Sequence, residues 1–405
     1  MDFAHDDTTL EITARVRAFL DEHVYPAEAV HTRQVADTPD GWAFRPVVRE
    51  LQAAARDQGL WNLFLPPTAP SGREGGGLTN LQYAPVAELT GRSPGLAPRA
   101  FNCAAPDTGN MEVIDHFGTP EQKERWLRPL LAGEIRSSFC MTEPDVASSD
   151  ATQIATRIRR VGDAYEITGR KWFATGGMNP DARILVVMGK TDPDAPRHRQ
   201  QSMILVPRDT PGVRVVRGLS VLGYDDRDHG GHAEIEFDGA VVPVSHLLAG
   251  EGEGFAVAQA RLGPGRIHHC MRALGTAERA MDLVRDRVRE RVAFGGPLAG
   301  QGVIREWLAT SRIEIEALRL LVLKTAWLMD TVGNRVAMTE IQAIKIAVPR
   351  AVQQILDRAM QWFGGAGLSQ DTPLAAMFAG ARSLRLADGP DEVHLASLGR
   401  AELRR

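Results

Sequence analysis

The chain has little cysteine, no long apolar run and almost no net charge. Its 405 residues include three cysteines, Cys103, Cys140 and Cys270. They are far apart and form no CxxC pair, which argues against a disulfide framework or a structural zinc site and for a reducing compartment. No window approaches 18 uncharged apolar residues, so no membrane span is expected. The N-terminus, MDFAHDDTTLEITARV, lacks the apolar stretch of a secretory signal. A net charge of -4 gives no electrostatic reason to expect nucleic acid or an anionic membrane as partner. P-loop, GxGxxG, GxSxG and HExxH signatures are all missing.

What remains is an ordinary globular composition, 43% hydrophobic and 24% charged, long enough for two or three domains. The first third is helical in pattern. Thr8 and Glu11 have capping-box spacing, and Ile12, Val16, Phe19 and Leu20 follow on one helix face. Pro46 opens a second helix, with Gly59 as its C-terminal stop, and Pro66 to Gly77 is a loop. Thr119, Pro120 and Gln122 mark another helix start. From Ser138 to Leu248 the pattern changes to short alternating runs with turns such as Gly162-Asp163, which predicts an antiparallel sandwich or barrel. The last third returns to long helices. Ile304, Leu308, Ser311, Ile315, Leu318 and Val322 form a bundle seam, and a second helix runs from Ala337 to Trp362 with Pro349 as a kink. The division is 1–137 helical, 138–250 β and 251–405 helical, an α+β chain that is mostly α.

Two segments concentrate polar chemistry. CMTEPDVASSDA, residues 140 to 151, places hydroxyls and carboxylates where helix gives way to sheet. Such a loop suits heterocycle carbonyls or phosphate oxygens, although on composition alone a capped polar turn is the simpler reading. LADGPDEVH, residues 386 to 394, crowds Asp388, Asp391 and Glu392 into a Gly-Pro turn, a solvated loop unless it faces a pocket. His229 and His232 in HGGH lack a third ligand and read as loop histidines; His268 and His269 point apart on a helix, so one can face a site and the other a core.

Together with GRKWFATGG (169–177), RLGPGRI (261–267), RERVAFGGPL (289–298) and QWFGGAGL (361–368), these two segments resemble the acyl-CoA dehydrogenase superfamily across essentially the whole chain. The resemblance implies an N-terminal helical domain, a middle β-barrel-like domain and a C-terminal four-helix bundle. APDTGNMEV (105–113) and ADGPDEVH are similar to the branch whose eukaryotic members carry a fused kinase-like phosphotransferase domain; a phosphotransferase serving this chain would then be a separate protein.

The implied cofactor is FAD and the implied reaction α,β-dehydrogenation of an acyl-CoA to the trans-2-enoyl-CoA. By resemblance Asp388 is the base, in a position where most members have Glu, and hydride passes to flavin N5. The enolate is stabilised by hydrogen bonds to the thioester carbonyl. Met141, Thr142, Phe173 and Thr175 fall beside the flavin ring, and Ser149 or equally Ser148 near its phosphate or the substrate's pantetheine arm. Arg291, Phe294, Gln361, Gly364 and Gly365 match segments that reach a neighbouring subunit's flavin, which implies a homodimer or homotetramer, and Glu392 falls where the family contacts flavin or a neighbour. Arg266 matches a residue near the acyl-CoA. No metal is implied; electron-transferring flavoprotein is the implied electron acceptor, and the cytoplasm the expected location. A 4-hydroxyacyl or 4-phosphoryloxyacyl substrate would need a cation near the acyl γ-carbon, for which Arg266, His268 and Arg272 are candidates. Rival readings are a nitroalkane oxidase with an Asp base and oxygen as acceptor, and a flavin-bearing relative that binds nucleic acid.

Overall fold

The computed structural model describes residues 4–38 and 40–404. The chain divides into two compact units, each built from separated stretches of sequence.

One unit holds residues 1–25, 79–98 and 265–405 and is helical. Its first helix, Asp7–Phe19, is capped by Asp6, whose carboxylate accepts the Thr9 backbone N–H at 2.8 Å. The expected Thr8 cap is therefore displaced by two residues: Asp6 has the extended backbone a cap requires, and Thr8 already lies in the first turn. The predicted face of Ile12, Val16, Phe19 and Leu20 is buried. A second helix, Asn80–Gly91, starts on a reciprocal capping box between Thr79 and Gln82. It meets the long helix Gly254–Glu290, of which residues from Gly265 onward belong to this unit, backbone against backbone. A Cβ on Gly91 would collide with the Arg272 carbonyl, and one on Gly275 with the Glu88 carbonyl. Thr276 secures the crossing by donating its hydroxyl to the Gly91 carbonyl at 3.0 Å.

The remaining helices are Gly302–Val332, Met338–Phe363, Leu374–Ser383 and Asp391–Glu402. Within the predicted seam Ile304, Ser311, Ile315 and Val322 are buried, while Leu308 and Leu318 are half-buried. Pro349 lies inside its helix on the buried side. Arg312 and Arg319 both reach Glu278, at 2.6 Å each, and Arg319 also grips Glu88 at 2.7 Å.

The second unit holds residues 26–78 and 99–264. Here Pro46 does open a helix, Pro46–Asp57, and Gly59 follows it at φ +65°. Thr119 and Gln122 form the predicted capping box. The strands are β1 (Arg136–Cys140), β2 (Arg157–Val161), β3 (Ala164–Thr175), β4 (Ala182–Lys190), β5 (Gln201–Pro207), β6 (Val213–Leu219), β7 (His232–Pro243) and β8 (Leu247–Leu248). They form one sheet in the order β6-β7-β3-β2-β4-β5-β8, with β1 added beside β4.

The sheet corrects one expectation. It is not purely antiparallel, because β1 runs parallel to β4, from Ser137 opposite Ile184 to Cys140 opposite Val187. Alternation of side chains carries no information about strand direction. β4 is also apolar on both faces: Ile184 through Met188 are fully buried. β2 and β3 form the predicted hairpin, with Gly162 and Asp163 as its two-residue turn. The core beneath gathers Cys140, Ile158, Tyr165, Ile167, Val187, Ile235 and Phe237.

Candidate active site

The functional residues expected from sequence fall into two constellations, one in each unit.

In the helical unit, Asp388 stands in the turn between Leu374–Ser383 and Asp391–Glu402. Its backbone is left-handed, φ +56°, followed by Gly389 at +102°. Asx residues tolerate this region better than most, and Gly389 is needed because a Cβ there would come 2.9 Å from His394 Nε2. The Asp388 side chain is only 14% exposed, and its Oδ2 lies 3.5 Å from His269 Nε2. The Asp388 carbonyl accepts from Arg266 Nε at 3.1 Å and faces His394 Nε2 at 3.3 Å. Buried Lys345 donates to the carbonyls of Leu384 and Gly389 and so fixes the rest of the turn. Burial, followed by the charges of Arg266 and Lys345, pushes His394 down to about 4, so its ring is neutral near pH 7. Asp391 lies below the turn; its Oδ2 accepts from Arg350 Nε and Arg385 Nε at 2.8 Å each, while its Oδ1 is buried without a hydrogen-bond partner.

His268 and His269 separate as expected. His268 is buried edge-on against Tyr83, with ring centroids 5.0 Å apart. It is pushed down to about 3 by burial, then by Arg272 and His269. Of the three candidates for a cation near the acyl chain, His268 is the most deeply buried. The imidazole beside the carboxylate is His269, and Arg272 approaches its Nδ1 at 3.5 Å. Arg266, His269 and Arg272 follow at i, i+3 and i+6 on one helix. Lys345 is marked in the sequence as a lone charge inside the apolar run AIKIAV.

Other predicted residues of this unit lie at its surface. Arg291 is exposed at the end of its helix. Phe294 and Gly295, at φ +53° and +84°, make the two-residue tip of a small hairpin between Val292–Ala293 and Gly296–Pro297. Phe294 is 99% exposed. Gln361, Gly364, Gly365 and Glu392 are exposed as well, and Gly364 at φ +61° ends the Met338–Phe363 helix.

In the β unit, the segment after β1 is tied to β3. Buried Lys171 donates to the Met141 carbonyl at 2.9 Å and to Glu143 at 2.7 Å. Glu143 also accepts the backbone N–H groups of Ala155 and Thr156. The Trp172 N–H bonds the Thr142 carbonyl at 3.0 Å. Both loop carbonyls are thus turned inward, while the Thr142 side chain remains exposed. Burial alone would raise the Glu143 carboxyl, but Lys171 and the hydrogen bonds hold it below the usual range. Ser148 and Ser149 are no longer equivalent. The Ser148 hydroxyl accepts from the Glu143 N–H at 2.8 Å, whereas Ser149 is exposed.

At the far end of β3 the pairing with β7 contains a bulge between Lys171 and Ala174. Phe173 sits in it at φ +48° and is 43% exposed, so simple core packing does not describe it. Beyond the bulge Thr175 pairs with His232, and its hydroxyl lies 3.0 Å from His232 Nδ1. The indole N–H of Trp172 is buried without a hydrogen-bond partner. Thr142, Trp172, Phe173 and Thr175 combine donors with an exposed aromatic ring. This donor set fits a planar heterocycle edged with carbonyl and nitrogen acceptors, as a flavin ring is.

Comparison with known proteins agrees with this architecture. Family models match in chain order: the acyl-CoA dehydrogenase N-terminal domain at residues 6–134, the middle domain at 138–240 and the C-terminal domain at 252–403. The chain belongs to the acyl-CoA dehydrogenase family. It is 54% identical to FadE2 of Mycobacterium tuberculosis, over 100% of this chain and 98% of that one. It is 52% identical to acyl-CoA dehydrogenase family member 11 of Gallus gallus over 97% of its own length, but spans only 50% of that longer protein. Among solved structures, a family member from Mycobacterium abscessus superposes with a TM-score of 0.95 at 50% identity, covering 99% of each chain. Butyryl-CoA dehydrogenase of Megasphaera elsdenii gives 0.83 at 27% identity over all of both chains. A chain from the structure of the electron transferring flavoprotein of Acidaminococcus fermentans gives 0.84 at 27%, also over all of both. No helix among the described residues is long and apolar enough to cross a membrane.

Proposed function

We propose that the protein oxidises an acyl-CoA thioester to its trans-2-enoyl-CoA, with Asp388 as the base that removes the α-proton. The observation that carries this reading is the build of the Asp388 turn. A carboxylate is largely withdrawn from water, its backbone is held by Arg266, and its side chain lies beside an imidazole. The His269 contact keeps the carboxylate aimed, as a general base requires. The left-handed backbone of Asp388 is one that an Asx residue tolerates.

FAD, when bound, supplies the acceptor for the β-hydride. Thr142, Trp172, Phe173 and Thr175 are the residues suited to hold its ring, with Met141 anchoring the loop from behind and Ser149 available to a phosphate or the pantetheine arm. Exposed Arg291, Phe294, Gln361, Gly364, Gly365 and Glu392 suit a second copy of the chain, whose flavin they would meet; a homo-oligomer follows. Electron transferring flavoprotein is the acceptor we assign to the reduced flavin. The three buried thiols suit a reducing cytoplasm. The Arg266, His269 and Arg272 row beside the base suits an acyl chain that carries a polar or anionic group, such as a 4-hydroxyacyl or 4-phosphoryloxyacyl substrate.

Anaerobic titration of the FAD-loaded protein with plain, 4-hydroxy and 4-phosphoryloxy acyl-CoAs tests all of this. Rapid bleaching by one member is expected. A yellow protein that none of them bleaches, and from which no enoyl product is recovered, would remove the dehydrogenase reading.

A further inference from the structure

The HGGH segment was expected to be a solvated loop, and it is not. His232 is the first residue of β7 and only 17% exposed. Its Nδ1 faces the Thr175 hydroxyl at 3.0 Å, and its Nε2 lies 3.4 Å from Asp226 Oδ2. The Phe173 ring is its neighbour, with centroids 6.1 Å apart. The imidazole thus joins the exposed end of β3 to the Asp226 carboxylate, whose side chain is itself one-third exposed.

The segment is held in place for this contact. Gly230 and Gly231 have φ of +77° and +62°, and a Cβ on Gly231 would strike the Trp42 ring. Their carbonyls accept the Met178 and Gly176 N–H groups at 3.0 and 2.8 Å, which locks the turn onto the residues just after Thr175. Asp226 itself is left-handed, φ +53°.

Several charged groups face Asp226. From its own turn come Asp225, Asp228 and His229, whose Nδ1 is 3.6 Å from Asp226 Oδ1. His232 approaches from β7. Beyond Asp228 stands fully buried Arg99, which donates to it at 3.0 Å, with His31 close by. Burial, then repulsion from Asp228, pushes Asp226 above the usual carboxylate range. Burial would also raise Asp228, but Arg99 overrides it and holds Asp228 ionised. Burial keeps His232 neutral.

We propose that His232 is a positioning residue which, through Asp226, sets whether the Thr175 hydroxyl donates to or accepts from the flavin edge. The proposal rests on the flavin reading above. With Asp226 protonated, its O–H donates to Nε2, the imidazole carries its proton on Nδ1, and that N–H donates to Thr175. The threonine's own proton is then free to point outward. When Asp226 ionises, one proton leaves the set to solvent. The imidazole proton then resides on Nε2, facing the carboxylate, and Nδ1 accepts the Thr175 O–H. The outward side of the hydroxyl becomes an acceptor.

The test is the FAD dissociation constant and flavin absorbance band shape between about pH 6 and pH 9. The proteins compared are the wild type, Asp226→Asn, His232→Asn, Thr175→Val and the Asp226→Asn/Thr175→Val double variant. The wild-type constant should change about fivefold across one inflection, the worth of one hydrogen bond. Each single variant should bind FAD with that inflection lost, and the double variant should add nothing to Thr175→Val. If either Asp226→Asn or His232→Asn fails to fold, the other decides together with the wild type and Thr175→Val. An inflection absent from the wild type, or retained in Thr175→Val, Asp226→Asn or His232→Asn, overturns the proposal. A wild type that binds no FAD at all overturns the flavin reading and the proposal with it, which distinguishes the two failures.

Discussion

His269 Nε2 lies 3.5 Å from Asp388 Oδ2, and the other nitrogen of the same ring faces Arg272 at 3.5 Å. A guanidinium can only donate, so when it bonds His269 Nδ1 that nitrogen offers its lone pair and the ring proton is on Nε2, facing Asp388. A donor aimed at a carboxylate favours its ionised form. Replacing His269 with Ala should therefore remove one charge-assisted hydrogen bond from the ionised carboxylate and displace the acid limb of the pH profile for flavin reduction to higher pH. An unmoved limb would show that His269 does not act on the base.

Asp388→Asn should retain FAD and the thermal midpoint but reduce the rate of flavin bleaching by about 10²- to 10⁴-fold, the usual worth of a positioned base. Stopped-flow absorbance under anaerobic conditions measures it. Parental bleaching in the variant would take the base role from Asp388.

The buried pair of Lys171 and Glu143 supports the loop that carries Thr142. Glu143→Gln removes one charge and leaves the ammonium buried without its counter-ion, a loss of about 3 to 5 kcal/mol. We expect a lower midpoint in chemical denaturation and weaker FAD retention. The double variant Lys171→Met/Glu143→Gln should recover part of the stability, because no unpaired charge is then left inside, but not the loop geometry that Lys171 fixes through the Met141 carbonyl.

Glu278 gives the acid behaviour of the helical unit a named source. Burial would raise its carboxyl, but hydrogen bonds from Arg312 and Arg319 outweigh that and bring it down to about 2. A group depressed on folding contributes stability above its ordinary value, and that contribution drains away as pH falls toward the folded value. The loss should thus run from near the ordinary 4.5 down to about 2. In Glu278→Gln, denaturation midpoints should be lower at neutral pH and vary less with pH across that window.

What the sequence revealed followed from local rules. Helix starts at Pro46 and Thr119, the stop at Gly59 and the seam through Ile304 and Val322 each depend on a few neighbouring residues. The ADGPDEVH turn stands out by resemblance, and its left-handed Asp388 and the close approach of Gly389 to His394 account for an Asx-Gly pair there. Long-range features stayed hidden. Nothing in RSSFC announces that β1 runs parallel to β4. The pairing of Thr175 with His232 depends on a bulge that shifts the register by one residue, and register is a property of two strands. Likewise Asp6 displaced Thr8 because a cap is selected by backbone conformation as well as spacing.

The crossing at Gly91 and Gly275 has a meaning beyond packing. His269 and Arg272 sit one to two turns before Gly275 on the same helix, and the Arg272 carbonyl is itself one of the surfaces pressed against Gly91. Side chains at a crossing can repack and let helices slide, but two backbones in contact cannot. The imidazole that faces the base thus takes its position from a place where side chains are missing. A single methyl at either glycine would act as a wedge, costing about 3 kcal/mol or more and turning the row of basic side chains away from the carboxylate it serves.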